Sequence, residues 1–425
     1  MIFLQLNEIN LDYVRRYSRK FAGLTVAERM VAHSRTLATE AQYALLEPWI
    51  QWPSIHYGQP FSEHRMFHLD SINLTGAEDI YTRLADEGLV VNCLSLMNLN
   101  LKSSRLNRYV PDPWSSADPG NHWTSRYLHE ALKQAVNDNA KQRVSLKSAF
   151  QISTVILTNI GLKSLLLLVS KVAKLRSTRY GKALVLDWIL TILTVEFHKK
   201  DGAHLSALFL NGMAHIQHHY MLSSAVSCVT AKNPSWYSKP DSDPMLDALI
   251  EYQDMIQYLE TEISEPILIA SGLTQEPYTS PMFYYRLKNH EEFFQAMGFK
   301  FDEIIPLMTR DMIIKTDQPL DEVRKMLSAI TLEEKPMFGH FDKTQQGLFC
   351  SLIYQDEIKD DDNIAQNGNV RFKAKEHTIF IAIKNGHHSE TCFLSHINFD
   401  NKDLIQVNSI TELSSAIFQL LRPSK

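Results

Sequence analysis

Residues 208 to 221 read LFLNGMAHIQHHYM, an apolar run that turns directly into a cluster of histidines. The HLSALFLN segment favours a buried strand, and the residues after it have the spacing of a helix. On that helix Asn211, His215 and His219 recur at intervals of four, while His218 lies one turn beyond His215. Several imidazoles can therefore project from one face, which favours a functional site over core packing.

Other strand-like runs surround this stretch. IFLQL at residues 2–6 is followed by Asn7 and Glu8, at the strand end where open α/β sheets carry ligand-handling groups. Residues 79–89 have the pattern of an amphipathic helix, residues 90–98 read as a strand, and residues 265–278 as a strand that ends in a polar turn. The alternation predicts an α/β protein with a central, mostly parallel sheet flanked by helices.

Two segments lack regular periodicity. Residues 47–67, EPWIQWPSIHYGQPFSEHRMF, are rich in aromatic residues, proline and histidine and read as a functional loop and turn. Residues 105–125 contain too many Pro, Asp, Ser and Gly residues for regular structure, which predicts an ordered surface loop.

A helical insert is expected at residues 141–200, between a first part of the core at 1–140 and a second part at 201–425. Its long apolar patterns are interrupted or flanked by basic residues, and no uninterrupted apolar run reaches the roughly 20 residues that span a bilayer. Two alternatives stay open for residues 145–200. They form a helical hairpin packed on the main domain, or a basic amphipathic surface that rests on an anionic membrane.

The composition limits the class of protein. The chain has 425 residues, 44% hydrophobic content and a net charge of −5 without a long basic block, which fits a folded globular protein and excludes a nucleic-acid footprint. Its four cysteines are far apart, so they favour reduced structural thiols over a metal or redox motif. The first residues lack the pattern of a secretion signal, so we expect a cytoplasmic location or one peripheral to the inner membrane. The sequence does not indicate the oligomeric state.

Four segments, in order, resemble the site segments of the alkaline phosphatase superfamily, in particular its nucleotide pyrophosphatase/phosphodiesterase branch. PSIHYGQPFSEH resembles the helix and turn after the family's nucleophile, with Gly58 and His64 at the matching places. LFLNGMAH is similar to the strand followed by Asp-x-x-x-His, with Asn211 and His215 in those positions. ILIASGLTQ resembles the strand before the Asp-His pair, and NGHHSE the late segment that supplies a metal-binding histidine, His388 or His387 here.

The departures from this pattern concern the anionic ligands and the nucleophile. Asn7 and Glu8 stand where the family has Asp, Pro48 stands at the nucleophile position, and Gly272 and Leu273 replace the Asp-His pair. Two divalent ions close together need anionic ligands to offset their charge, and Asn, Gly and Leu cannot supply them. We therefore expect fewer than two ions, such as one zinc, manganese or iron, or a metal-free site.

The resemblance and the residue chemistry together name the candidate site residues. We assign Glu8, His215, His219 and His388 as metal ligands. Catalytic roles are expected for Glu8, Glu47, Asn211 and His215, and substrate contacts for Asn7, Trp49, Gln51 and Gln275. His218 is interpreted as a supporting or surface residue.

The implied activity is that of a divergent phosphatase or phosphodiesterase-like enzyme, a hydrolase or transferase for a phosphate-type group. PDPW and AHIQHHY also resemble segments of superfamily members from bacterial surface-polysaccharide gene clusters, which implies a sugar-phosphate, glycolipid or nucleotide-sugar substrate. One alternative is a catalytically silent relative that binds a glycan or a pathway partner. Another keeps the fold but removes or transfers an acyl group with the assistance of a metal.

Overall fold

The structure is a computed structural model that describes residues 1–71, 75–99, 101, 105–120, 122–137, 145–307, 310–399 and 406–422. Its helices are α1 (Leu11–Lys20), α2 (Thr25–Ala32), α3 (Pro48–Tyr57), α4 (Phe61–His64), α5 (Ile80–Asp86), α6 (Trp123–Asn137), α7 (Leu146–Asn159), α8 (Leu162–Leu175), α9 (Gly181–Asp201), α10 (Gly212–Tyr220), α11 (Pro244–Glu262), α12 (His290–Ala296), α13 (Leu320–Ser328), α14 (Ala374–His377) and α15 (Leu413–Leu421). Within the described part of the chain, none of these helices combines the length and the apolar character that crossing a bilayer requires.

The strands and the short 3₁₀ turns complete the elements. The strands are β1 (Ile2–Leu6), β2 (Arg35–Leu37), β3 (Val91–Leu96), β4 (Arg108–Pro111), β5 (Leu205–Leu210), β6 (Ile267–Ala270), β7 (Thr274–Leu287), β8 (Glu303–Pro306), β9 (Asp311–Lys315), β10 (Ile330–Leu332), β11 (Lys335–Pro336), β12 (Phe338–Thr344), β13 (Gly347–Leu352), β14 (Asn363–Gln366), β15 (Asn369–Lys373), β16 (Thr378–Ser389) and β17 (Cys392–Ile397). The 3₁₀ turns are Tyr43–Leu45, Met221–Ser223 and Ile410–Glu412.

A central sheet with the strand order β2-β17-β6-β1-β5-β3-β4 organises the larger of two compact units. Its five strands from β6 to β4 are parallel, and β17 and β2 join one edge in antiparallel pairings. The strand β1 lies in the middle, with Leu6 opposite Leu210 of β5. This topology confirms the α/β class with a mostly parallel central sheet.

Helices cover both faces of this sheet. Phe3, Ala207 and Phe209 belong to an apolar cluster that also contains side chains of α3, α5 and α15. Because side chains alternate along a strand, Leu4 and Leu208 face the opposite side, where α9 packs against β5 and β3. The central strands are buried on both faces, so they read as apolar runs instead of alternating patterns.

Two local predictions were wrong. Residues 47–67 were expected to be a loop, but they contain α3, which begins with Pro48 at its first turn and includes Pro53. Proline is well tolerated at the first helical position, so its presence there does not break the helix. Residues 105–125 were also expected to be a loop, but Arg108–Pro111 forms β4 at the edge of the central sheet. The strand β4 has only four residues, which are too few to produce a recognisable periodicity in the sequence.

The chain divides into two compact units, and the expected boundaries at 140 and 200 stay a prediction. The larger unit comprises residues 1–228, 240–277 and 386–425 and includes α7, α8 and α9. The smaller unit comprises residues 229–239 and 278–385. It contains two four-stranded sheets, β11-β10-β14-β15 and β12-β13-β9-β8, around its own apolar core, which includes Phe293, Phe294 and Phe338.

Candidate functional site

The site begins where β1 ends. Glu8 follows the strand by two residues, is only 3% exposed, and has a φ of 57°. This left-handed conformation is unfavourable for a residue with a Cβ, so neighbouring contacts must hold it. Gln217 of α10 does so, because its Nε2 donates to the Glu8 carbonyl oxygen at 2.6 Å and its Oε1 accepts from the Asn10 N–H at 2.7 Å. The carboxylate of Glu8 is thereby fixed at the carboxyl edge of the central strand.

Two imidazoles approach the same oxygen of Glu8. Nε2 of His218 lies 2.9 Å from Glu8 Oε2, and Nε2 of His388 lies 3.2 Å from that oxygen. One ligand atom from each of the three side chains lies within 4.8 Å of the others. The side chains of His218 and His388 are 18% and 17% exposed, so the cluster is shielded but reaches solvent.

The other nitrogen of each imidazole faces an acceptor. Nδ1 of His218 lies 3.3 Å from the carbonyl oxygen of Gly386. Nδ1 of His388 lies 3.2 Å from Oε2 of Glu47. A carbonyl and a carboxylate can only accept, so each Nδ1 carries a proton, and each Nε2 faces the Glu8 carboxylate. Histidines that bind metals are typically oriented in this way.

The charges of the cluster shift its pKa values strongly. Burial would raise the pKa of Glu8, but the adjacent His388 and His218 hold it well below its usual range. Burial alone would lower the pKa of the His388 imidazole, but the nearby carboxylates of Glu8 and Glu47 raise it to about 10. An imidazolium at His388 therefore offsets part of the negative charge of Glu8 and Glu47.

Amide side chains support the Glu8 carboxylate from the neighbouring strand ends. Gln275 at the start of β7 donates from Nε2 to Glu8 Oε2, and also to the Ala214 carbonyl oxygen at 3.0 Å. A Cβ at Gly386 would lie 2.3 Å from Oε1 of Gln275, so glycine is required there. A polar turn was expected at Gln275. Instead, Gln275 is buried at the start of β7, and its side-chain amide contacts the Glu8 carboxylate.

Asn7 connects Glu8 to the next strand. Its Nδ2 donates to Glu8 Oε1 at 2.8 Å and to Asn211 Oδ1 at 2.7 Å, and its Oδ1 accepts from Trp52 Nε1 at 3.0 Å. Trp52 is fully buried and lies against Gly272, where a Cβ would come within 3.1 Å of the indole. Gly272 therefore makes room for the tryptophan that orients Asn7.

The helix α10 presents His218, and not His215 or His219, to Glu8. Ala214, Gln217 and His218 have the spacing of one helix face, and the first two also contact the groups around Glu8. His215 and His219 lie on an adjacent face, with their rings 4.8 Å apart, and both are partly exposed. Of the histidines assigned as ligands from the sequence, only His388 lies in the cluster with Glu8. The spacing from Ala214 to His218 was the available signal for the histidine that sequence reasoning missed.

Residues of the α3 region occupy different environments. Glu47, which precedes α3, contacts His388. Trp49 is partly buried and donates from its indole to the Phe67 carbonyl oxygen at 3.0 Å. Gln51 is fully buried and donates to the Leu45 carbonyl oxygen at 2.8 Å, a placement that favours a structural role over substrate contact.

A second buried carboxylate fixes the start of α10. Oδ2 of Asp187, from α9, accepts from the Gly212 N–H at 2.9 Å and from the Tyr252 hydroxyl at 2.6 Å. A Cβ at Gly212 would lie 2.5 Å from this oxygen, which explains the glycine. Burial raises the pKa of Asp187 to about 7. This contact sets where α10 begins and therefore where its histidines lie.

Glu8, His218 and His388 fit a single divalent cation. They form a set of two histidines and one carboxylate, which suits zinc, manganese or iron. Nε2 of His388 is buried and makes no well-aligned hydrogen bond to any described residue, although Glu8 Oε2 is near. A cation would use that nitrogen, and the single carboxylate of the set is consistent with one ion and not two.

Comparisons with known proteins give only distant likenesses. No protein-family model matches the sequence, and no curated protein matches it. Phosphonoacetate hydrolase from Sinorhizobium meliloti 1021 is similar at 11% identity and a TM-score of 0.42, over 99% of this chain and 94% of that one. Murine ectonucleotide pyrophosphatase/phosphodiesterase 5 is similar at 10% identity and 0.42, over 100% and 95%. The alkaline phosphatase PafA, as a mutant, is similar at 12% identity and 0.43, over 99% and 95%. At these sequence identities and TM-scores, the similar structures assign neither an activity nor a substrate to the chain.

Proposed function

We propose that this protein is a single-metal enzyme that hydrolyses or transfers a phosphate-type group. The observation that carries the proposal is the Glu8, His218 and His388 cluster, in which both imidazoles keep Nε2 directed at the carboxylate. The order of the sequence segments that resemble the alkaline phosphatase superfamily supports the phosphate-type chemistry. Bound in this cluster, zinc or manganese would act as a Lewis acid toward a phosphate-type oxygen.

The chain's own residues would prepare that chemistry. Glu47 holds the His388 ring through Nδ1, and Asn7 and Gln275 hold the Glu8 carboxylate, so the cluster is organised before a ligand arrives. Asn211 would orient the substrate or a neighbouring ligand. His215, on the adjacent face of α10, would transfer protons, since a partly exposed imidazole can both accept and donate a proton.

The substrate class that we propose is a sugar phosphate, glycolipid or nucleotide-sugar of bacterial surface-polysaccharide assembly. Support for this class comes from the PDPW segment at residues 111–114 and the AHIQHHY segment at residues 214–220. Trp49 would contact the sugar, because a partly exposed indole offers an apolar face and a polar edge.

A catalytically silent relative is the second candidate, and the nucleophile region favours it. Pro48 stands at the expected nucleophile position. Ser54 does not replace it, because its hydroxyl donates to the Ile50 carbonyl oxygen and His64 Nε2 lies 3.0 Å from it. Nδ1 of His64 accepts from the Met66 N–H, so the proton of this imidazole is on Nε2 and the ring cannot act as the base for Ser54. In this alternative, the site binds a glycan or a partner without turnover.

Metal loading and turnover separate the two candidates. The full chain is stripped with a chelator, titrated with Zn²⁺ or Mn²⁺ by calorimetry, and assayed with chromogenic phosphate monoesters and diesters. We expect one bound ion per chain, a higher melting temperature with metal, and metal-dependent hydrolysis. His218→Ala should lose the ion, whereas the matched variant His219→Ala should retain it.

Three other results of these experiments would also distinguish the metal enzyme from the binding protein or contradict the proposed ligands. Retention of the ion by His218→Ala and its loss in His219→Ala would contradict the cluster and restore the assignment made from the sequence. One bound ion without hydrolysis of any ester would favour the binding protein. A chain that binds no ion and whose melting temperature does not respond to either metal would refute the metal enzyme.

A further inference from the structure

The helices α7 and α8 bury polar as well as apolar side chains and expose several large apolar ones. Val155, Leu168 and Leu175 are buried, but so are Ser148 and Gln151 of α7 and Ser164 and Lys171 of α8. We call α7 and α8 together the α7–α8 hairpin. Several large apolar side chains of this hairpin are exposed, and we call them its outer face: Leu146 (91% exposed), Phe150 (67%), Leu157 (69%), Leu162 (73%), Leu166 (62%) and Val169 (57%). Single exposed apolar residues are ordinary, but a group on two adjacent helices marks an interaction surface.

Specific polar contacts hold this orientation. Lys171 Nζ lies 2.8 Å from Glu251 and 2.6 Å from Asp254, and the indole Nε1 of Trp188 also donates to Glu251. These contacts fix the orientation of α8, since a buried lysine that lost its carboxylates would be strongly destabilising. In α7, the buried Gln151 donates to the Glu130 carboxylate at 2.7 Å.

The surface between the two helices is an apolar groove of about 430 Å³. Ile156 and Leu157 of α7 and Leu165, Val169 and Val172 of α8 are among its lining residues. Each helix has 14 residues, which corresponds to a length of about 21 Å. The outer face and the groove thus form one continuous apolar surface along both helices.

The charged residues of this segment itself have one sign, although neighbouring helices place carboxylates beside Lys147, Lys163, Lys171 and Lys174. Residues 145–180 contain six Lys and Arg residues and no Asp or Glu, although the whole chain has a net charge of −5. The side chains of Lys147 and Lys163 are 76% and 82% exposed. Both face carboxylates of other helices, but exposed ion pairs of this kind contribute little and exchange readily with other anions.

We propose that the α7–α8 hairpin docks in the plane of an anionic lipid bilayer. The outer face would enter the boundary between headgroups and acyl chains, and the exposed Lys147 and Lys163 side chains would contact lipid phosphates. Every charged side chain of residues 145–180 is basic, and exposed apolar side chains flanked by basic ones are typical of helices that lie on anionic membranes. This inference does not depend on the metal site and gives the protein a location near membrane-bound substrates.

Vesicle flotation of the full chain tests the proposal. We expect the protein to float with vesicles that contain phosphatidylglycerol and phosphatidylcholine, to bind vesicles of phosphatidylcholine alone at least about tenfold more weakly, and to dissociate at high salt. The double substitution Leu166→Glu/Val169→Glu should reduce binding by about tenfold or more. Val370→Glu is the matched control, since Val370 is 66% exposed but lies on β15 in the smaller unit, and it should bind as the unchanged chain does.

Other results would overturn the proposal. It is refuted by absence of flotation, by equal binding to both vesicle types, or by full binding of a Leu166→Glu/Val169→Glu protein. A dimer in analytical ultracentrifugation that the double substitution dissociates would show that the outer face joins two copies instead. Circular dichroism and the melting temperature establish that the variants are folded, and Lys163→Gln/Arg176→Gln provides a second test that keeps the apolar surface and should weaken binding to the anionic vesicles by about tenfold.

Discussion

Two buried carboxylates of the larger unit, Glu8 and Asp187, respond to burial in opposite ways. Both contact α10 or its neighbouring residues, and their exposed fractions are 3% and 4%. The pKa of Glu8 is well below its usual range because His388 and His218 outweigh the cost of burial, whereas burial raises the pKa of Asp187 to about 7. Among the described residues, the donors to Asp187 are neutral: the Tyr252 hydroxyl and the backbone N–H groups of Gly212 and Asn211. The comparison shows that the partners, and not the depth of burial, decide which carboxylate is suited to a cation.

The largest effect is expected from Glu8→Gln. The substitution keeps the shape of the side chain but removes the only carboxylate of the candidate ligand set. Structural zinc sites bind with about 10–16 kcal/mol, so the loss of one ligand removes on the order of 3 kcal/mol, or about 100-fold in affinity. Calorimetric titration with Zn²⁺ measures this loss. Asp187→Asn is the matched control, and equal weakening of both variants would contradict the distinction between the two carboxylates.

The next effect is a dependence of stability on pH that comes from Asp187. Its pKa is raised from 3.8 to about 7 on folding, so between these values the folded state holds a proton that the unfolded state has released. The free energy of unfolding therefore decreases as pH rises through this window, by about 2–3 kcal/mol between about pH 5 and pH 8. Asp187→Asn should remove this decrease. Urea denaturation at both pH values measures it, and an unchanged slope in the variant would show that other groups cause it.

The sequence predicted which residues lie at the carboxyl edge of the central sheet better than it predicted which histidine of α10 faces Glu8. Apolar runs that end in Asn7, Glu8 and Asn211 indicate parallel strands, and parallel strands bring their carboxyl ends to one edge, where the structure has these three residues in hydrogen-bond contact. Which histidine of α10 faces Glu8 did not follow from the same pattern. Buried residues occur around most of this helix, so its periodicity does not fix its rotation. The contacts of Gly212 with Asp187 and of Gln217 with Glu8 fix that rotation, and both partners are distant in sequence.

The partners of His388 illustrate the same limit. Glu47 was a candidate from its polar character alone, and nothing local connects residue 47 to residue 388. Their contact arises because the residue before α3 and the end of β16 lie close to Glu8. Side-chain pairs of this kind depend on tertiary packing, so residue type and spacing could nominate the members but could not pair them.

Glu47→Gln should weaken metal binding less than Glu8→Gln does. The glutamine keeps an oxygen near His388 Nδ1 but lacks the charge that favours the oriented, basic imidazole. Partners of this kind contribute about 10–100-fold to metal affinity, and we expect the lower end because the Glu47 side chain is 32% exposed. Glu63→Gln, at an exposed glutamate of α4, is the control for calorimetric titration. A loss as large as that of Glu8→Gln would mean that Glu47 is itself a ligand.

The smallest effect is expected from Tyr252→Phe, which removes one neutral donor to Asp187 and the acceptor of the Met213 N–H. The Tyr252 hydroxyl donates to the charged form of Asp187 and so holds its pKa down against the effect of burial. Without it, the pKa of Asp187 should rise above about 7, and the decrease of stability with pH should extend to higher pH. The substitution also leaves the Met213 N–H without the hydroxyl that accepts from it, so the protein should lose about 1–2 kcal/mol of stability. Urea denaturation across the pH range measures both effects, with Tyr258→Phe as the control. A shift of the pH dependence toward lower pH would show that Tyr252 stabilises the neutral carboxyl, and that neutral donors alone do not explain the contrast with Glu8.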